Sequence, residues 1–134
     1  MIVDFRNQYK SITKKEIERW ARIGTKFVLF TLHHFYQFQE ERLNKLSEKS
    51  KIIHSFGIKT GIYTGLLGTE KATTVERFNL SKYLQRDVKG KPVQYIPHKA
   101  GGFLCCPNSN YLSSFRIPLW KKAAEKLDLD MIFF

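Results

Sequence analysis

Three short stretches dense in strand-forming residues, 2–5, 26–32 and 58–64, are separated by two segments whose apolar residues recur at helical spacing. The spacers are far too long for hairpins. A strand, a helix and another strand joined this way form a parallel pair with a right-handed crossover. The run Lys26-Phe27-Val28-Leu29-Phe30-Thr31-Leu32 is almost continuously apolar, as befits a parallel strand covered on both faces.

The first helix announces its own boundaries. Thr13 stands three residues before Glu16, the spacing of a capping box, and Ile12 and Ile17 occupy the positions of a hydrophobic staple. Ile17, Trp20, Ala21 and Ile23 make the inward stripe, and Gly24 supplies a left-handed stop. A second helix is predicted over residues 39–56, with Leu43, Leu46, Ile53 and Phe56 inward and Gly57 ending it. Residues 65–108 then break the rhythm as a long loop rich in glycine and proline, with a turn at residues 87–92. A loop of that length is where function is expected. Helical spacing returns over residues 109–127, with Leu112, Phe115, Leu119, Ala123 and Leu127 inward. Pro118 should kink or split it. Residues 129–134 make a fourth strand.

The 134 residues are 43% hydrophobic and 14% aromatic, which describes one globular domain. No signal peptide or membrane span is legible, so a cytoplasmic protein is expected. Cys105 and Cys106 are adjacent and cannot staple distant segments, so free thiols are expected. The 23 Lys+Arg against 12 Asp+Glu give a net charge of +11, which raises nucleic acid or an anionic surface as a partner.

Several segments occur in an order that resembles a known family: Gly68-Thr69 with Val75-Glu76-Arg77-Phe78, then Gln85-Arg86-Asp87-Val88-Lys89-Gly90-Lys91-Pro92-Val93-Gln94-Tyr95, then Cys106-Pro107-Asn108-Ser109, then Asp130-Met131-Ile132-Phe133-Phe134. Together they resemble the N-terminal half of (β/α)8 barrels in the glycoside hydrolase superfamily. The resemblance implies an α/β fold, a truncated half of a TIM-like barrel, with about four parallel strands and a long loop after the third. Residues 1–134 would be a single half-barrel domain. In the family the last strand runs on into an acid, and here Phe134 is the final residue, so the chain is expected to lack hydrolase activity alone.

In a barrel the binding residues project from the C-terminal ends of the strands, which nominates Asp4, His33, His34 and Tyr63 for sugar contacts. Tyr63 is either a floor for a sugar ring or a core residue. Glu76, matched to the family's Glu-Phe pair, is the candidate catalytic carboxylate, its alternative being an exposed acid paired with Arg77 or Lys82. Asn108 either faces a ligand or caps the following helix. His33 and His34 point apart on an extended backbone and have no third ligand at a suitable spacing, so no metal is expected, and no cofactor. Val3, Phe27 or Val28, Ile62 and Ile132 are expected to face the unfilled barrel centre. That face calls for a homo-oligomer or a complementary barrel half, alongside a carbohydrate ligand and no membrane. The alternative is a nucleic-acid-binding module using Lys82, Arg86, Lys89, Lys91 and Lys99 with Tyr83, Tyr95 and Phe103.

Overall fold

The computed structural model describes residues 2–5, 12–32, 38–65, 69–70, 72–94 and 102–134. Four strands, β1 (Ile2–Phe5), β2 (Phe27–Thr31), β3 (Lys59–Tyr63) and one that closes the sheet after a long excursion, lie side by side and all parallel. Helix α1 (Lys14–Arg22) joins the first pair and α2 (Glu40–Ser55) the second. The first three strands thus sit beside their neighbours in sequence, and the two parallel crossovers read from spacing alone are observed.

Local chemistry sets these elements. The hydroxyl of Thr13 accepts from the Glu16 amide at 3.2 Å, and the Glu16 carboxylate accepts from the Thr13 amide at 2.7 Å. Ile12 and Ile17 are both buried against the core, so box and staple form together. The backbone donation from Thr13 holds the Glu16 carboxyl below its ordinary range. At the far end Gly24, at φ +77°, lets its own amide reach Ala21 O and that of Thr25 reach Trp20 O, which ends the helix with two carbonyls satisfied. Ile23 is a correction: it is 57% exposed, because it is the cap residue where the chain already turns out of the stripe.

The segment expected as a long loop is a small folded unit. Strand β4 (Thr69–Glu70) pairs antiparallel with β5 (Phe103–Leu104), helix α3 (Ala72–Arg77) follows β4, and a single 3-10 turn spans Ser81–Tyr83. Its interior is a second hydrophobic cluster of Val75, Leu80, Leu84, Cys105 and Tyr111, touching the main core through Leu112. Cys105 and Cys106 are free, as expected. Helix α4 (Ile117–Leu127) is preceded by π-helical Leu112–Arg116. Pro118 has no amide to continue the ladder, and the Ile117 amide donates five residues back to Leu112 O, so the expected split falls here. Asp128, at φ +51°, makes the turn out of α4 without a glycine, and β6 (Met131–Phe133) completes the sheet.

Among the described residues, the helices cover one face of this sheet. Val28, Phe30, Leu32 and Ile62 are buried beneath α1, α2 and α4, and Ile132 packs with them. By the two-residue alternation of a strand, Phe27, Leu29, Tyr63, Met131 and Phe133 stand on the other face. Three of them are half-buried, whereas Met131 is 44% and Phe133 51% exposed. The expectation that Val28, Ile62 and Ile132 face the barrel centre is therefore corrected: they face the helices.

Glu40 at the start of α2 accepts from Lys122 and Lys126 of α4, both at 2.7 Å. Those two ammonium groups pull its carboxyl down to about 2 from 4.5. A depressed carboxylate stabilises above its unfolded value and loses that contribution as pH falls through its folded value. The acid limb of a stability profile between about pH 4.5 and 2 should therefore flatten in Glu40→Gln. Superimposable acid limbs in a urea titration series would refute this clamp.

Candidate functional site

The ends of the parallel strands define two rims. At the C-terminal rim, Tyr63 and Phe133 are register partners on β3 and β6, and their rings lie 5.7 Å apart at 41°. Next to them Phe134, 60% exposed, stacks on Trp120 of α4 at 5.3 Å. The strand is anchored there by the Thr64 amide, which donates to Phe133 O at 2.9 Å. The buried Thr64 hydroxyl and Trp120 Nε1 have no hydrogen-bond partner among the described residues. Buried groups left so are uncommon and raise the local demand for polar contact.

The residues singled out by sequence distribute unevenly over this rim. Tyr63 is on it. Asp4 lies in β1, paired through its backbone with Leu29. His33 and His34 lie outside the described residues. Glu76 is exposed on α3, and its carboxylate makes neither of the ion pairs expected with Arg77 or Lys82. Asn108 is exposed in the turn before the π-helical segment. The capping role read for it is filled by Ser109, whose hydroxyl donates to Cys106 O at 2.7 Å and accepts from the Tyr111 amide at 3.3 Å.

The inserted unit connects the end of β3 with the start of the segment leading into α4, and so stands above the same rim. Arg116 ties it down. The side chain of Arg116 is fully buried, with Nε donating to the Tyr111 hydroxyl at 2.8 Å and the guanidinium 5.7 Å from that ring. At its outer end the turn at residues 87–90 is rigidly specified: Asp87 Oδ1 accepts the amides of Lys89 and Lys91, Gly90 takes φ +77°, and Arg86 donates to Gly90 O at 2.7 Å.

The opposite rim holds a polar cluster that sequence reasoning missed. The Ser50 hydroxyl donates to Leu127 O at 2.7 Å, which uses its one proton. The Thr60 hydroxyl, 2.9 Å away, must then donate to Ser50 and accept from His54 Nε2 at 3.0 Å. The His54 proton is thereby assigned to Nε2, which also lies 3.2 Å from Asp130 Oδ2, and that oxygen accepts the Thr60 amide at 2.9 Å. Serine, histidine and aspartate here form no nucleophilic triad, because Ser50 and Thr60 are buried and their protons are committed to α4 and α2. The cluster fastens α2 to the starts of β3 and β6, beside a cavity of about 320 Å3 lined by His54, Gly57, Ile58, Lys59, Asp128, Leu129 and Asp130. In parallel barrels this rim serves stability and the other serves binding. Among the described residues no group of three or more histidine, cysteine or acidic side chains is placed to hold a metal ion. No described helix is long and apolar enough to cross a membrane.

No protein-family model and no curated protein sequence matches the chain. Solved structures do match it along 98% of its length. A maltogenic α-amylase from Thermotoga neapolitana superposes with a TM-score of 0.75 at 14% identity, and an α-galactosidase from Lactobacillus brevis with 0.70 at 12%. The α-galactosidase of Thermus thermophilus, solved with p-nitrophenyl α-D-galactopyranoside, gives 0.68 at 12%. The chain spans 38%, 20% and 29% of those three chains respectively. Its fold is that of part of a TIM barrel.

Proposed function

We propose that residues 1–134 act as one half-barrel unit of a carbohydrate-binding protein, with the sugar ring received at the C-terminal rim on the platform of Tyr63 and Phe133. The observation that carries this reading is the tilted aromatic pair at 5.7 Å on the rim of a glycosidase-type fold. An aromatic face accepts the apolar face of a pyranose. Asp4, His33, His34 and Asn108 are the further candidates for hydroxyl contacts. Glu76 is the candidate acid, exposed on α3.

Glycoside hydrolysis needs two carboxylates astride the bond, one to protonate the leaving group and one to act as base or nucleophile. Glu76 by itself supplies one. The unit taken alone is therefore a binding half. Purified chain should release no nitrophenol from α- or β-aryl glycosides above the buffer rate, yet should bind oligosaccharide in calorimetry, with Tyr63→Ala and Phe133→Ala each weakening binding about tenfold. Turnover that disappears in Glu76→Gln would overturn the view of the chain as a non-hydrolytic half. Binding unchanged in both aromatic variants would remove the proposed platform.

The uncovered sheet face supports the second part of the proposal, that a complementary half, or a second copy, packs on it. Below the sugar platform Phe27, Leu29 and Met131 put apolar side chains on the side that a closed barrel keeps inside.

A further inference from the structure

The inserted unit carries a concentration of positive charge that a neutral sugar does not use. Its described residues 72–94 contain Arg77, Lys82, Arg86, Lys89 and Lys91, all exposed, against Glu76 and Asp87. Asp87 Oδ1 is turned onto the amides of Lys89 and Lys91, so within residues 72–94 five cations stand against Glu76 and this inward-turned carboxylate. Topology places this surface at the binding rim. The segment leaves from the end of β3 and rejoins at α4, and α4 must start at that end to deliver the chain to the beginning of a parallel β6.

We propose that the carbohydrate received at this rim is acidic, a uronic-acid oligosaccharide whose carboxylates are held by the cations of the inserted unit while one ring rests on Tyr63 and Phe133. The inference rests on the sugar-binding reading above and adds its substrate class. Two of the cations are already set in place: Lys82 Nζ lies 5.0 Å from the centre of the Tyr83 ring, and the Arg77 guanidinium 5.4 Å from that of Phe78. Both rings are seated in the second core, Tyr83 at 5.9 Å from Tyr111 and Phe78 at 6.4 Å from Phe115. A cation held over an anchored ring loses less freedom when it meets an anion. Lys89 and Lys91 project from a turn fixed by Asp87, so their backbone is pre-organised too.

The same arrangement separates an acidic sugar from single-stranded nucleic acid. Stacking sites for bases need open aromatic faces interleaved with the charge. Phe78 and Tyr83, the two rings beside Arg77 and Lys82, each have an aromatic neighbour in the core and a cation over one face, so at these cations the patch offers charge without an open stacking face. The Tyr63–Phe133 pair lies at the strand ends, where its half-exposed edge suits a pyranose.

The experiment is calorimetry on the full chain with three probes: trigalacturonate, maltotriose and a mixed-sequence oligonucleotide, each at 50 and 300 mM salt. Trigalacturonate should bind about tenfold more tightly than maltotriose at low salt, with the gap narrowing at high salt as exposed charges are screened. Each exposed cation contributes a factor of about two to five. The pair Lys89→Gln with Lys91→Gln, which removes no packing, should therefore weaken trigalacturonate about fivefold or more and leave maltotriose unchanged. Lys82→Gln should do the same, with circular dichroism confirming that the second core is intact. Equal affinity for the two trisaccharides would overturn the acidic substrate and leave the sugar site standing. Binding to neither would overturn both. Tighter binding of the oligonucleotide than of trigalacturonate would overturn the proposal in favour of a phosphate backbone.

Discussion

Replacing Gly61 by valine is expected to detach β6 from the sheet and lower stability by about 3 kcal/mol, the upper end of what overpacking costs. A Cβ at Gly61 would sit 2.8 Å from the carbonyl oxygen of Met131, 3.0 Å from Leu29 Cδ2 and 3.1 Å from Phe27 Cε1. The two side-chain ends can swing away. The carbonyl cannot, because Met131 is the register partner of Gly61 and its position is set by the pairing of β3 with β6. Relief therefore requires the two strands to part, and the strain is steric with no contribution from φ. Loss of the pairing frees Ile132 from the core and Phe134 from Trp120. With a urea slope of about 2 kcal/mol per molar, typical of small domains, the unfolding midpoint should fall by about 1.5 M. Gly61→Ala should show the same defect in smaller degree, since the offending atom is the first one beyond Cα. An unaltered midpoint for Gly61→Val would mean that β6 is not seated as described.

That glycine was legible only as one residue within a strand, and the contrast with what the sequence disclosed elsewhere is instructive. Helix α1 could be read because its signals are local: Thr13, Glu16, Ile12, Ile17 and Gly24 all act within a few residues of one another. Strand order could be read because crossover length restricts it. Side assignment could not. Residues 27–32 are nearly all apolar, so their alternation is silent, and whether Val28 or Phe27 faces the helices depends on where α1 and α2 land. The inserted unit hid for a related reason. Its core joins Val75 and Leu80 to Cys105 and Tyr111, partners about thirty residues apart with glycines and prolines between them. The cluster at the other rim links Ser50 and His54 to Leu127 and Asp130 across more than seventy residues, and no spacing rule reaches that far. Of the candidate site, Tyr63 was placed by strand logic alone. Its companion Phe133 was not nominated, because it is the register of β3 against β6 that brings the two rings together.

The uncovered sheet face leads to the second large effect. Met131 and Phe133 are 44% and 51% exposed on the side away from the helices, beside half-buried Phe27, Leu29 and Tyr63. Fully burying one exposed apolar side chain is worth about 1.5 to 3 kcal/mol, so Met131, with half-buried Phe27 and Leu29 beside it below the sugar platform, favours association. The net charge of +11 acts against it when two copies meet. The two forces respond oppositely to salt: screening removes the repulsion and leaves the apolar attraction. The isolated chain should therefore be larger than a monomer by light scattering, and its association should strengthen between 50 and 500 mM salt. Met131→Lys should render it monomeric at every salt level, because the substitution puts a charge where the partner's apolar side chains must lie, below the sugar platform. A contact built on the basic surface would behave the other way, weakening with salt and ignoring Met131→Lys. A chain that is monomeric throughout would show that this face stays wet, and would leave the complementary half, with its own complementary charge, as the occupant to be sought.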